Sequence, residues 1–344
     1  MSRIVTFGEI MLRLMPPDYN RIIQADLFQA TYGGGESNVS VSLAQFGMDS
    51  VFVTKLPNNA LGTAALAYLR SAGVCTQFIT RGGDRIGIYF VERGVAQRPS
   101  KVVYDRKQSA IAKVDPDELD WDVILEKSDW FHFTGITPAL GDNIVAILQK
   151  ACEVAKQKGL TISCDLNYRP QMWPVEKATQ TMAELLRFVD ICISNEEDVQ
   201  LLFKNRCKIG CKNKAEQGKL NKEEFVQNAA AMVNEFGLKA MAFTMRESLS
   251  ATANNWSGML YTSGKAYFSP VYNIPYIVDR IGGGDSFAAG LIYAYLMGYE
   301  PQDAVNFSVA ASCLKHTISG DANFVSVEEV TALCKGNGSG RIIR

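Results

Sequence analysis

The chain reads as an α/β protein whose core is a mostly parallel sheet with helices on both faces. Three observations predict this. Short apolar runs alternate with segments of helical period through most of the 344 residues. The links between them are short, as they are where helices cross over a parallel sheet. Two glycine runs, Gly33–Gly35 and Gly282–Gly284, each stand just before a helical segment. Glycine costs backbone entropy and buries no side chain, so runs at helix starts call for a reason. The first backbone N–H groups of a helix lack intrahelical partners and suit an anion.

The length allows a large core and is read as one domain over residues 1–344. With 35 basic and 36 acidic residues the net charge is −1, which offers no nucleic-acid footprint. The eight cysteines are scattered, several in apolar surroundings such as Cys152, Cys164, Cys192 and Cys313, and read as reduced. Cys207 and Cys211 lack the second pair or nearby histidine that zinc needs. Only His132 and His316 are present, which excludes a histidine-rich metal site. The start goes straight into a strand without the pattern of a signal peptide, and no run of apolar residues reaches membrane-spanning length. A cytoplasmic protein without membrane or nucleic-acid partners is the expectation.

Taken in order, Ile4 to Phe7 is a first strand ending at Gly8 and Glu9. Met11 to Met15 alternates weakly and stops at Pro16-Pro17, and Gln29 to Tyr32 is polar and extended. From Val39 the spacing is helical through Leu43 and Phe46, with Gly47 as C-cap. Gly33–Gly35 is then either a tight loop or a place where a ligand meets backbone. Val51–Thr54 is a strand and Leu61–Ser71 a helix. Gly87–Glu92 and Val102–Tyr104 are short and alternating, as in an antiparallel hairpin. With the segments near 11–32 they predict a small sheet outside the main one, spanning residues near 84–108. Such an appendage buries its inner face by covering a site or by pairing with another subunit.

Trp130–Gly135 and Thr161–Asp165 are further strands, with a helix over Asp142–Lys158 between them. Asp165 to Pro170 brings polar groups to the end of a parallel strand, where open α/β sheets place ligands. Arg169 there suits a carboxylate, or a surface ion pair. Helix Val175–Arg187 and strand Ile191–Ile193 follow, and Ser194 to Asp198 opens another helix. Its acidic first turn either serves the helix dipole or stands near a hydrated magnesium ion. Residues 206–222 are a basic insertion, six lysines and arginines against Glu216, read as a solvated loop or as a segment near a polyanionic nucleotide. Glu223–Phe236 is a helix and Ala240–Thr244 a strand, then Ser250–Asn254, Gly258–Thr262 and Ala266–Ser269 are short strands. Helices over Asp285–Met297, Pro301–His316 and Ser326–Cys334 complete the chain. The middle one sets Asn306, Ala310 and Cys313 on one face, where they could flank a planar ligand.

Two glycine runs at helix starts, one with Asp285 at its mouth, fit phosphoryl transfer. The acceptor hydroxyl needs a base, and the transferring group needs donors where charge builds. There is no Walker sequence, and Gly282–Gly284 is not a dinucleotide fingerprint. Residues alone leave Asp285 either a helix cap or a base.

The chain resembles the ribokinase-like (PfkB) carbohydrate kinases over nearly its whole length. The resemblance lies in Gly33-Gly34 with Asn38, and in Asp279-Arg280-Ile281-Gly282-Gly283-Gly284-Asp285-Ser286-Phe287-Ala288-Ala289-Gly290. The second segment matches the pattern D-T-x-G-A-G-D, with arginine for threonine and glycine for the middle alanine. Within the family, Tyr89, Tyr104-Asp105-Arg106 and Asp165-Leu166-Asn167-Tyr168-Arg169 most resemble the 2-keto-3-deoxygluconate kinases.

The resemblance implies a three-layer α/β/α sandwich with a central mostly parallel sheet and a small β lid. It implies ATP-dependent phosphorylation of the C6 hydroxyl of 2-dehydro-3-deoxy-D-gluconate, with Mg2+ and room for a monovalent cation. Asp285 would be the base, and the backbone of Gly282, Gly283, Gly284 and Asp285 the anion hole. Gly34, Asn38, Tyr89, Tyr104, Arg106 and Arg169 would contact the sugar acid. Ser194, Thr244, Arg246, Gly282, Gly284, Asn306 and Ala310 would hold the nucleotide. Asn195 and Asp198 fall on an N-x-x-E motif that manages magnesium through water, with aspartate one methylene short. Arg246-Glu247 departs from the glycine the family often has after Thr244. The lid would close over the sugar, and a homodimer through it is allowed. The alternatives are a kinase of a neutral sugar such as fructose, or a non-catalytic sugar- or nucleotide-binding protein on the same fold.

Overall fold

A computed structural model describes residues 2–207 and 221–337. Most of the basic insertion at 206–222, and Cys211, lie outside the described residues. The strands are β1 (Arg3–Phe7), β2 (Met11–Met15), β3 (Gln29–Gly33), β4 (Asp49–Leu56), β5 (Ile79–Arg81), β6 (Gly87–Glu92) and β7 (Lys101–Asp105) in the first third of the chain. Then come β8 (Trp130–Thr134), β9 (Thr161–Asp165), β10 (Ile191–Ser194), β11 (Ala240–Ser250), β12 (Ala253–Thr262), β13 (Lys265–Phe268) and β14 (Tyr272–Ile274). The helices are α1 (Gly35–Gln45), α2 (Ala60–Ser71), α3 (Trp121–Ile124), α4 (Asp142–Gln157), α5 (Val175–Leu185) and α6 (Glu196–Phe203). They continue with α7 (Lys222–Phe236), α8 (Gly283–Leu296), α9 (Pro301–Lys315) and α10 (Val327–Cys334).

The main sheet runs β13-β12-β11-β10-β9-β8-β1-β4-β5, with β14 beside β12. From β5 to β11 every neighbouring pair is parallel, and the β12–β14 end is antiparallel. Period-2 alternation splits each strand between two layers. Val5, Phe7, Phe131, Phe133, Cys192, Met241 and Phe243 pack under α3–α7. Ile4, Trp130, Ile191, Ile193, Ala240 and Ala242 pack under α1, α8, α9 and α10. This is the three-layer α/β/α sandwich.

A second sheet, β3-β2-β6-β7, forms the lid. Its hairpins β2–β3 and β6–β7 are antiparallel, but its central pair β2–β6 is parallel. Met11, Met15, Tyr89 and Val91 line its inner face and pack against Ile281, beside the second glycine run.

Three sequence readings needed correction. Ser250–Asn254 and Gly258–Thr262 are not separate strands: β12 runs unbroken over Ala253–Thr262 and pairs along β11. β11 itself continues to Ser250, because Arg246 and Glu247 remain in the ladder although their polarity ends the apolar signal. Helix α1 starts at Gly35 rather than Val39, with buried Glu36, Ser37 and Asn38 in its first turns.

Candidate active site

β1 is flanked by β4 on one side and β8 on the other, so the strand order reverses direction there. Ligands of open α/β sheets bind beyond the strand ends at such a point. A cavity of about 670 Å³ opens there, lined from β1 by Glu9, from β9 by Asp165 to Pro170, from β10 by Ser194 to Asp198 and from β11 by Thr244 and Arg246. Both glycine-headed helices point into it, and the lid supplies Tyr89, Tyr104 and Arg106.

Gly282 caps α8 at φ +84°, a left-handed conformation, and no side chain caps the helix. Its first N–H groups therefore lack intrahelical partners. A Cβ at Gly282 would also overlap the Asp321 carbonyl. Gly282→Ala therefore combines a strained φ with a backbone clash, and a loss of at least about 2 kcal/mol is expected in chemical denaturation. Gly283 has its own reason. A Cβ there would lie 2.9 Å from His316 Cε1, so the imidazole fills the space that an alanine methyl would need. His316 is held by its Nδ1 at 2.7 Å from Ser312 O and by Trp256, with ring centroids 4.9 Å apart.

Asp285 lies in the first turn of α8, and its Oδ2 accepts from Asn38 Nδ2 at 2.7 Å. Burial pushes its pKa up to about 7, opposed by the Asn38 bond and assisted by the charges of Asp321 and Glu36. Asp165 is pushed well above the carboxylate range by burial and by Asp285 and Asp198. Glu36 is also raised by burial, but Thr134 and Thr137 hold it as a structural anchor. The cavity floor thus gathers carboxylates without an ion pair among the described residues, and the charge of Arg169 offsets only part of their repulsion.

At the lid end Tyr89 and Tyr104 stack with centroids 5.9 Å apart. The Tyr89 hydroxyl donates to Asp321, and the Arg106 guanidinium is bound by Glu9, with Nε–Oε2 at 2.8 Å. Arg106 and Arg169, both expected at the sugar acid, line the cavity but differ in their surroundings. Arg106 is already neutralised by an acid 97 residues away. Arg169 is half-buried, donates only to the Tyr168 carbonyl among the described residues, and faces the cavity. Gly34 is needed because a Cβ there would overlap the Glu9 carbonyl.

At the other end Ser194, Thr244 and exposed Arg246 line the cavity with Arg280, whose guanidinium donates to Ala251 O at 2.6 Å. Asn254 on β12 also lines it, buried, with both amide atoms unpartnered. Asn306 and Ala310 do not line the cavity, and this expectation is corrected. Ala310 is fully buried in the apolar layer between α8 and α9, and Asn306 accepts from Gln302 at 3.0 Å. Asn195 and Asp198 are tied to each other: the Asp198 N–H donates to Asn195 Oδ1 at 2.9 Å and Asn195 Nδ2 to Asp198 Oδ2 at 3.0 Å.

Sequence reasoning singled out neither Glu9, Asp321 nor Asn254. Asp321 stands in a polar loop after α9 with no motif around it, and Glu9 follows a strand as many loop acids do. Asp165 was visible as a strand-end acid without a role.

An uncapped helix start beside a raised carboxylate, on a sandwich with a lid, defines a phosphotransferase class rather than a dinucleotide enzyme. The chain belongs to the pfkB family of carbohydrate kinases, whose match spans residues 1–327. It is a carbohydrate kinase, an ATP-dependent phosphotransferase. It is similar to a 2-dehydro-3-deoxygluconokinase of Thermotoga maritima, known from its crystal structure, with 50% identity and a TM-score of 0.92 over 98% of this chain and 100% of that one. A 2-dehydro-3-deoxygalactonokinase of Haloferax volcanii is 30% identical over 98% of both chains. A 2-dehydro-3-deoxygluconokinase of Bacillus subtilis is 27% identical over 95% of this chain and 94% of its own. Among the described residues no helix is long and apolar enough to cross a membrane.

Proposed function

We propose that the protein transfers the γ-phosphoryl of ATP to the C6 hydroxyl of 2-dehydro-3-deoxy-D-gluconate, releasing ADP and the 6-phosphate. The observation that carries this reading is one cavity with Asp285, pushed up to about 7, at one helix start and Arg169 unpaired among the described residues. The names of the similar enzymes support a dehydro-deoxy sugar acid as the substrate class.

Asp285 takes the hydroxyl proton as the oxygen attacks, and Asn38 orients its carboxylate through the 2.7 Å bond. The amides of Gly282, Gly283, Gly284 and Asp285 receive the charge that builds on the transferring group. Arg169 pairs with the sugar carboxylate, with Gly34, Asn38 and Tyr104 around the chain of hydroxyls. Tyr89 and Arg106 act as the wall, their polar atoms held by Asp321 and Glu9. Ser194, Thr244, Arg246, Arg280 and the unpartnered amide of Asn254 fit a nucleotide.

The donor set also fits magnesium held through water. Among the described residues no three acids or histidines are grouped to bind a metal directly. Asp165 and Asp198 nonetheless face the cavity with raised proton affinity, a charge that a hydrated dication relieves. When bound, Mg2+ offsets the charge of the ATP phosphates, and Asn195 keeps the Asp198 carboxylate turned for it. Ile23, Leu27 and Val103 in the lid segments are exposed apolar side chains, the kind of surface that a homodimer through the lid would cover.

The test is a coupled assay of ADP release with 2-keto-3-deoxygluconate, 2-keto-3-deoxygalactonate, gluconate, fructose and ribose. The 2-keto-3-deoxy acids are expected to exceed fructose in kcat/KM by about 100-fold, the size of one charge-assisted contact. Fructose turned over as well as the acids would reject the substrate assignment.

A further inference from the structure

Lys315, in the last turn of α9, has no exposed surface and no part in the steps above. Its ammonium donates to two backbone carbonyls, Asp279 O at 3.4 Å and Ile318 O at 3.2 Å. Among the described residues no carboxylate lies close enough to form an ion pair with it, although the charges of Asp279 and Asp321 act on it from farther off. The Asp279 carboxylate is taken by Arg13 at 2.5 Å and by the N–H groups of Ile281 and Gly320, each at 3.2 Å. The Asp321 carboxylate is taken by Arg13 and Tyr89. Burying an ion costs several kcal/mol on the order-of-magnitude scale, and burial does lower the affinity of Lys315 for its proton. An apolar side chain of similar length would fill the space without that cost.

The surroundings say what the charge is for. From Asp279 the chain runs through Arg280 and Ile281 into Gly282–Asp285. Ile318 belongs to the turn after α9 that carries Gly320 and Asp321. The two segments meet where the N–H groups of Val278 and Asp279 donate to His316 O at 2.8 and 3.3 Å, and where Gly282 lies against the Asp321 carbonyl. The ammonium joins the same two segments from behind the glycine loop. Backbone carbonyls turned onto a cation are also how channel selectivity filters hold potassium.

We infer that the Lys315 ammonium serves as a tethered monovalent cation, holding the carbonyls of Asp279 and Ile318 so that the Gly282–Asp285 amides stay aimed at the phosphoryl group, and that turnover needs no potassium or ammonium from solution. Lys315 is a positioning residue, since it touches no reacting atom. The inference rests on the phosphoryl-transfer reading of this loop.

The test measures kcat and KM with ATP and the preferred sugar acid while potassium replaces N-methylglucamine at constant ionic strength. Wild-type kcat is expected to change by less than about twofold across the titration. In N-methylglucamine, Lys315→Ala and Lys315→Met are expected to lose about tenfold or more in kcat with KM little changed, the pattern of weakened transition-state donors. Potassium, ammonium or propylammonium should restore the alanine variant, which leaves room for a cation, and not the methionine variant, which fills it. A several-fold rise of wild-type kcat with potassium overturns the inference. So does an alanine variant of unchanged kcat, or one that none of the three cations restores. If neither variant folds, the wild-type titration decides. If the wild type turns over no sugar acid, the substrate reading fails separately, and its slow ATP hydrolysis under the same titration still decides this one.

Discussion

Asp285→Asn lowers kcat by about 10²- to 10⁴-fold, the range associated with a positioned general base, while the KM for the sugar acid changes little. The same substitution stabilises the fold at neutral and alkaline pH. The folded protein raises the Asp285 pKa from 3.8 to about 7, so folding favours the protonated carboxyl. That contribution is fully present below the unfolded pKa and is lost as pH rises through about 7. With allowance for solvent in the open cavity, the gain for asparagine is about 1–2 kcal/mol in mildly alkaline buffer and vanishes in acid. Thermal unfolding of both proteins across that range measures it. Wild-type kcat/KM should run the other way with pH. It falls about tenfold per unit of pH below the Asp285 pKa, because only the ionised carboxylate accepts the proton. A flat profile through that region, or an asparagine variant of near-normal turnover, removes Asp285 from the role of base.

Arg169→Ala lowers kcat/KM for the sugar acid by about 100-fold, and changes any slow turnover of a neutral sugar by less than about threefold. Arg169→Lys recovers only part of the loss, because an ammonium does not reproduce the planar two-donor fork on a carboxylate. Arg106→Ala behaves differently. It leaves the buried Glu9 carboxylate without its partner, so it destabilises the protein and weakens acidic and neutral sugars alike. The contrast, measured as the ratio of acid to neutral kcat/KM in each variant, separates the arginine that selects the substrate from the one that shapes the wall. Equal ratios in the two variants would refute this division.

Much of the fold was legible because its signals are local. β6, β9 and most boundaries of the parallel layers follow apolar runs and glycine stops that neighbouring residues alone dictate. The start of α8 was legible for the same reason, since Gly282 to Asp285 is contiguous. The wall of the site was not. Arg106 finds Glu9 across 97 residues and Tyr89 finds Asp321 across 232 residues, and no pattern within a segment announces such pairs. Asn306 and Ala310 fail for a related reason. Helical period places them on one face with Cys313, but packing against α8 decides that Ala310 belongs to the core. Arg280 and Gly283 depart from the family motif, and only the structure shows that Gly283 makes room for His316 and that Arg280 braces the β11–β12 turn.

The most direct test of phosphoryl transfer to the sugar acid is the position of phosphorus in the product. ATP and 2-keto-3-deoxygluconate are incubated with the enzyme, and the product is read by phosphorus–proton correlated NMR alongside the ADP formed. The expected result is a single monoester coupled to the C6 protons, in equal amount to ADP. A phosphate at any other carbon, or ADP formed without sugar phosphate, would contradict it.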